Sequence, residues 1–415
     1  MHILVIFREA FSTGWLGSTN RIFQLAEVLR EDNHVVTLLT ARYVDEKVQA
    51  EIDGVFPGNV FRTINSGCYP PIAEYSSITR RLWRGLWKLA GEEQYFCSLS
   101  LGWALAMEYD DTIGAIEKQH GPIDVVWGIC GGYIDSLMAA TSIAAQVKKP
   151  SILEMHDPPW HAGLKEDYRI LTNVYRSLLG AATYIVTNTE SYRIEIIRRF
   201  LVPEAQVVEI PQCFEYTEKS INGSSNDFCI LYAGTVSTER SIAPLLHSLA
   251  KLGESKSLQL RPVLNVYGAG NGIRDMQKLA TSLSLKGQYS YHGYVGKSVI
   301  SRETAIADLN VIIQSDEASV YEVPGKLFEC IGAGKPIMGI MRDCEASRII
   351  ECSGVGKTFP SHKTEEMALF IKECMNMKIM KKPIRYDRQY LGKFSRDRFS
   401  SSVRSLISGC CDKAE

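Results

Sequence analysis

The chain has 415 residues, 45% hydrophobic and 22% charged, with a formal net charge of -1, so it suits two domains that each bury a core and carries no global positive field to recruit nucleic acid. Its 11 cysteines are scattered without a Cys-x-x-Cys pair, which argues against a disulfide framework or a metal site and fits a reducing cytoplasm. No apolar run approaches the ~18 residues needed to span a bilayer, which excludes an integral membrane protein and leaves surface attachment open.

At the amino end, MHILVIF lacks the basic start and small-residue cleavage site of a secretory leader and runs into Arg8-Glu9, so residues 2–7 are expected to form a buried strand. The loop Ser12-Thr13-Gly14-Trp15 with Gly17 follows. Its amides either meet an anionic or hydroxylated ligand or belong to a surface loop. A helix is expected over residues 20–30, where Ile22, Leu25, Ala26 and Leu29 share one face. Further strands are expected at residues 34–40, 124–129, 150–155, 183–188 and 206–210, mostly continuous apolar runs of the kind covered on both faces. Strand and helix in alternation imply a parallel sheet with crossovers.

Between them, RRLWRGLWKLA at residues 80–90 is expected to form a basic amphipathic helix. Arg80, Arg81, Arg84 and Lys88 fill one arc, Leu82, Leu86 and Leu89 the opposite one, and Trp83 and Trp87 sit at the border. That pattern suits an interface of anionic lipid, the alternative being a helix docked on the first lobe with its basic face solvated.

After Pro211 the rhythm breaks at TEKSINGSSND, residues 217–227, a polar cluster that reads as a linker. Strands then restart at residues 228–234, 261–268, 288–293, 309–315, 335–340 and 354–359. Gly268-Ala269-Gly270-Asn271-Gly272 follows a strand, yet Ile273 and Gln288 stand where a dinucleotide fingerprint needs a glycine and an acid. It reads as a glycine-rich turn into a helix. In VYEVPGKLFECIGAGKPIMGI, residues 320–340, Pro324 suits a helix start, Gly334 a cap and Pro336 a stop, for about three turns. Leu327, Phe328 and Ile331 mark the buried face and Glu329 lies opposite it, solvated or paired with Lys326. The free amides at such a helix start can bind a diphosphate. Towards the carboxyl end, Phe399, Val403, Leu406 and Ile407 mark a last amphipathic helix with Ser395 near its start.

Val323-Pro324-Gly325-Lys326-Leu327-Phe328-Glu329, with Gly332-Ala333-Gly334-Lys335-Pro336 behind it, strongly resembles the donor-site signature of the retaining glycosyltransferase family four, of GT-B fold. Leu231-Tyr232-Ala233-Gly234-Thr235 with Glu239-Arg240, Val266-Tyr267-Gly268-Ala269-Gly270, and His292-Gly293-Tyr294-Val295 resemble the family's other segments in order. Glu154-Met155-His156-Asp157 and PEAQVVEIPQC at residues 203–213 are similar too, and the likeness is weakest at residues 43–120. The resemblance implies two Rossmann-like doubly wound lobes facing a central cleft, with a C-terminal helix crossing back. Residues 1–216 would form the acceptor lobe, 217–227 the linker, 228–390 the donor lobe and 391–415 the returning helix.

The implied activity is transfer of a sugar from a nucleotide-diphosphate sugar, with retention, and no cofactor or metal. By matching positions, Glu329 would accept from the ribose hydroxyls, Pro324, Gly325, Lys326 and Leu327 would frame the diphosphate with Gly17, Gly234, Thr235 and Gly268, and Tyr294 and Val295 would lie beside the base. Arg240, where the family usually has lysine, would neutralise the leaving group, His156 would face the sugar, and Glu322 would contact it. Three positions depart from the pattern. Glu322 lies one residue closer to Glu329 than the family's first glutamate, with Tyr321 in its place. Thr235 replaces a phosphate-binding arginine, a charge that Lys326 either supplies or leaves missing by pointing to solvent. Cys213 replaces a glycine. The implied acceptor is a saccharide or a lipid-linked acceptor, lipid-linked if residues 80–90 contact the inner face of the cytoplasmic membrane and otherwise equally a soluble one, and no nucleic acid partner is implied. Two other readings stay open: a sugar-nucleotide epimerase or hydrolase of similar fold using His156-Asp157, and a non-catalytic nucleotide-sugar-binding subunit.

Overall fold

The computed structural model describes residues 1–7, 17–42, 54, 56, 58–66, 109–130, 134–158, 169–216, 227–253, 258–315 and 320–412. The chain divides into two compact units, Met1–Pro211 with Phe399–Glu415, and Gln212–Arg398.

The first unit is built on β1 (His2–Ile6), β2 (Val35–Arg42), β3 (Val60–Ser66), β4 (Val125–Cys130), β5 (Ser151–Met155), β6 (Tyr184–Thr187) and β7 (Val207–Glu209). Among the described residues these form one parallel sheet in the order β3-β2-β1-β4-β5-β6-β7. Every residue of β1, β4 and β5 is buried, as their apolar runs demand when helices cover both faces. Those helices are α1 (Gly17–Glu31), α2 (Tyr109–His120), α3 (Asp135–Val147), α4 (Arg169–Ala181) and α5 (Glu190–Phe200). β3 has no counterpart in the sequence reading. It is an edge strand whose apolar run stops at Val60-Phe61 before Arg62 and Thr63, so it lacks the signal that marked its neighbours. The basic helix expected at residues 80–90 and most of the loop before Gly17 lie outside the described residues.

The second unit repeats the plan. Its strands are β8 (Asp227–Ala233), β9 (Arg261–Tyr267), β10 (Tyr289–Gly293), β11 (Leu309–Ile313), β12 (Ile337–Ile340) and β13 (Gly356–Phe359), parallel throughout in the order β10-β9-β8-β11-β12-β13. The helices are α6 (Ala243–Gly253), α7 (Ile273–Ser282), α8 (Lys297–Ile306), α9 (Gly325–Gly332), α10 (Glu345–Cys352), α11 (Thr364–Ile379) and α12 (Arg388–Leu391). In both sheets the strand order reverses beside the unit's first strand, between β1 and β4 and between β8 and β11. Ligands of doubly wound sheets bind outside the carboxyl ends of the strands at that reversal. Of the linker, only Asp227 is described, and it opens β8.

The last helix, α13 (Arg396–Asp412), starts in the second unit and belongs to the first from Phe399 onward. Phe399, Val403, Leu406, Ile407 and Cys410 are its buried stripe, and Arg404 pairs with Asp32 at 2.8 Å. At the second unit's end of both connections, Phe214 N donates to Phe394 O at 3.0 Å, and Phe214 and Phe394 share a core with Leu327, Phe328 and Ile331 of α9.

Candidate functional site

In the second unit the site residues gather at the carboxyl ends of β8, β9 and β10 and the start of α9. α9 is eight residues long, shorter than expected, because Gly334 already turns at φ 67 and Pro336 bars continuation. Pro324 occupies the N-cap position. Leu327 is fully buried in the core and its amide donates to Pro324 O at 2.9 Å. In this first turn the amides of Gly325 and Lys326 are the ones without an intrahelical acceptor.

Lys326 does not extend into solvent. Its Nζ donates to Ala233 O at 2.5 Å, at the end of β8. Burial lowers the ammonium from its ordinary range, Glu329 pulling it back and the Arg240 cation adding to the depression. Arg240, exposed, thus lies within electrostatic reach of Lys326. It also opposes the burial that pushes the Tyr232 phenol up to about 12. The sequence places Tyr232 in a family-like segment without giving it a role. Its hydroxyl donates to Thr235 O at 2.7 Å and pins the loop after β8, while Thr235 itself is exposed.

The glycines of the following loop have a packing reason. Gly268 and Gly270 adopt φ 129 and 148, and a Cβ on them would lie 2.1 Å from Gly234 O and 1.9 Å from Val236 O. The loop after β9 thus lies directly against the loop after β8, with Val236 N donating to Ala269 O at 3.0 Å. Tyr291 Oη donates to Gly268 O at 2.9 Å, and His292 stacks on Tyr267 with centroids 4.4 Å apart. Beyond them Tyr294 is 62% exposed and Val295 packs on Leu231, Tyr267 and Ala307. Glu329 is half-buried on α9, and Glu322, also half-buried, stands in the non-helical segment before Pro324, where its carbonyl accepts from Gln314 Nε2 at 3.3 Å.

The first unit holds the other two candidates. Gly17 is the first residue of α1. His156 follows β5 directly, its amide bonded to Cys130 O at 3.0 Å and its carbonyl to Asn188 Nδ2 at 3.2 Å. Its side-chain partner is Glu154, Nε2 to Oε1 at 2.6 Å, instead of the Asp157 that an acid-base pair would need. Glu154 is buried on β5 and also accepts from Arg21 Nε at 2.7 Å and Trp127 Nε1 at 2.9 Å. Burial alone would raise its carboxyl, but Arg21 and His156 bring it down to about 2. This group was missed because its members are 27 and 133 positions apart along the chain. The available signal was a glutamate inside the apolar run SILEM.

Among the described residues no three His, Cys, Asp or Glu side chains are placed to hold a metal, and no helix is long and apolar enough to cross a membrane. The nine described cysteines are free.

No family model and no curated protein matches the sequence. Solved structures do match over nearly the whole length. HepE of Anabaena, in complex with UDP and glucose, is 12% identical with a TM-score of 0.65, covering 98% of this chain and 99% of its own. A glycosyltransferase from Rickettsia africae is 13% identical with a TM-score of 0.63, covering 99% and 96%. The pneumococcal O-GlcNAc transferase GtfA, in complex with UDP and GlcNAc, is 11% identical with a TM-score of 0.63, covering 99% of both chains. The two Rossmann-like units, the strand orders and the returning helix together make this the fold of the GT-B glycosyltransferases.

Proposed function

We propose that the protein is a glycosyltransferase that takes its sugar from a nucleoside-diphosphate donor held by the second unit. The observation that carries this is the half-buried Lys326 at the start of α9, whose ammonium reaches Ala233 O at the end of β8, beside the reversal between β8 and β11. Lys326, Arg240 and a set of free helix-start amides suit a diphosphate, and they stabilise charge developing on a leaving group without a metal. Glu329 accepts from the ribose, and Tyr294 and Val295 flank the base. The resemblance to family four supports roles towards the sugar for His156, in the first unit, and Glu322, in the second. The resemblance to family four supports retention, and the UDP bound in HepE and GtfA supports a uridine donor. The acceptor is a saccharide held by the first unit, lipid-linked if residues 80–90 bind the cytoplasmic membrane. Liposome flotation tests that clause: binding that survives changing Arg80, Arg84 and Lys88 to Glu would remove it.

A thermal-shift screen against UDP, GDP, ADP, TDP and CMP tests the donor class, since a ligand that binds only the native state raises its stability. One selective shift is expected. No shift with any of them would sink the reading. Titration calorimetry with the responding nucleotide then assigns residues: Glu329→Ala is expected to weaken binding by about tenfold, the worth of one charge-assisted hydrogen bond. Arg240→Ala is expected to lower turnover by about 100-fold, as for other single groups that stabilise developing charge.

A further inference from the structure

We infer that Glu154 is a positioning residue that fixes His156 as the Nε2–H tautomer and turns Nδ1 outward as a hydrogen-bond acceptor for a sugar hydroxyl. The role towards the sugar rests on the function proposed above; the tautomer does not.

Hydrogen-bond donors around the carboxylate decide the tautomer. Glu154 is 1% exposed and receives Arg21 Nε and Trp127 Nε1, one on each oxygen. Arginine and indole can only donate, so both contacts require the carboxylate to be an acceptor. His156 Nε2, 2.6 Å from the oxygen that Arg21 also uses, faces an acceptor and must carry the hydrogen. In the neutral ring Nδ1 is then a bare lone pair. The ring cannot turn to exchange its nitrogens without taking a hydrogen away from an ionised oxygen, and the backbone on both sides is tied to Cys130 and Asn188. His156 makes no second side-chain hydrogen bond among the described residues, and its side chain is 12% exposed. A carboxylate that sets which ring nitrogen faces the ligand is a familiar way of orienting histidine.

Arg21 makes the arrangement stiff. It is 2% exposed, donates from Nη1 to Pro211 O at 3.0 Å and lies 4.5 Å over the Phe399 ring. Its charge keeps Glu154 ionised where burial would otherwise neutralise it. The carboxylate is therefore a fixed acceptor instead of a proton reservoir, and His156 is an orienting group that needs no proton transfer to work.

The test uses full-length protein labelled with 15N-histidine, read by two-bond 1H–15N correlation at pH 8.5, with His156→Gln to assign the resonance. The expected wild-type signature is Nε2–H. Glu154→Leu, which removes the acceptor, is expected to mix the tautomers, and Glu154→Gln, which keeps one oxygen for the ring, to restore the wild-type signature. An Nδ1–H signature in the wild type would overturn the inference, and that reading stands even if Glu154→Leu does not fold. With a donor in hand, Glu154→Leu is expected to lower kcat at least tenfold with nucleotide affinity unchanged, and to add nothing in the background of His156→Ala. Additive losses would also overturn it. A wild type that consumes no nucleotide sugar but shows the Nε2–H signature would count against the proposed function and leave the tautomer assignment standing.

Discussion

Glu154 holds a full negative charge inside the first unit, and its thermodynamic consequence depends on where its proton goes. The unfolded chain takes the proton near the ordinary value of 4.5, whereas the native carboxyl takes it only at about 2. The native state is therefore favoured above the ordinary value, and that advantage drains away as the pH falls from about 5 towards 2. Thermal melts of the wild type are expected to drop steeply across that window, and those of Glu154→Gln to fall less steeply. At neutral pH the same substitution leaves Arg21 buried without its counter-charge and is expected to cost about 3–5 kcal/mol, measurable by urea denaturation. Lys326 is the corresponding cation of the second unit. Lys326→Met is expected to leave Ala233 O without its donor and to cost about 1–3 kcal/mol, with nucleotide affinity falling in parallel. Neither group could be assembled from the sequence. A lysine in a helix's first turn is solvated far more often than it reaches back to a strand end, and nothing in the order of residues shows that Ala233 O is in range.

At the level of elements, the strands were legible and the reason is physical. Parallel strands covered on both faces must be apolar along their whole length, so His2–Ile6, Val125–Cys130 and Leu309–Ile313 stand out without alignment. β3 was not, because its apolar run ends at Val60-Phe61, before Arg62 and Thr63. The glycine-rich turn after β9 was read as a turn and not as a dinucleotide fingerprint, and its geometry agrees, since its glycines serve the contact between two loops. Gly268→Ala or Gly270→Ala would put a methyl group onto a backbone carbonyl at a strained φ. Either is expected to destabilise the second unit by about 2–4 kcal/mol. Gly296→Ala, with nothing within 4 Å of its Cβ position, is the control and is expected to stay within about 0.5 kcal/mol. Chemical denaturation of the three variants decides the point.

For the molecule as a whole, the two connections between units are also the places on which the candidate sites lean. In the first unit Arg21, which holds Glu154, grips Pro211 and Phe399. In the second, the buried face of α9 packs on Phe214 and Phe394, and a Cβ on Gly332 would lie 2.2 Å from Glu215 O. Removing residues from 399 onward would take away five buried apolar side chains of α13, a loss on the order of 10 kcal/mol at about 1.5–3 kcal/mol each. That matches the whole stability of a typical domain. The truncated chain is expected to keep a folded, protease-resistant second unit and to lose the first, which limited proteolysis with fragment mapping would show. The charge pair Arg404–Asp32 is exposed, and Arg404→Ala alone is expected to cost less than about 1 kcal/mol.

Synthesis adds an order to this dependence. The second unit is one uninterrupted stretch, Gln212–Arg398, whereas the first closes its core only with the residues from Phe399 onward. A ribosome therefore delivers every residue of the second unit before it makes the last part of the first. The unit that begins the chain is the last to be complete, and until α13 emerges it waits with the apolar bed of that helix uncovered, the surface on which a chaperone would be expected to hold it.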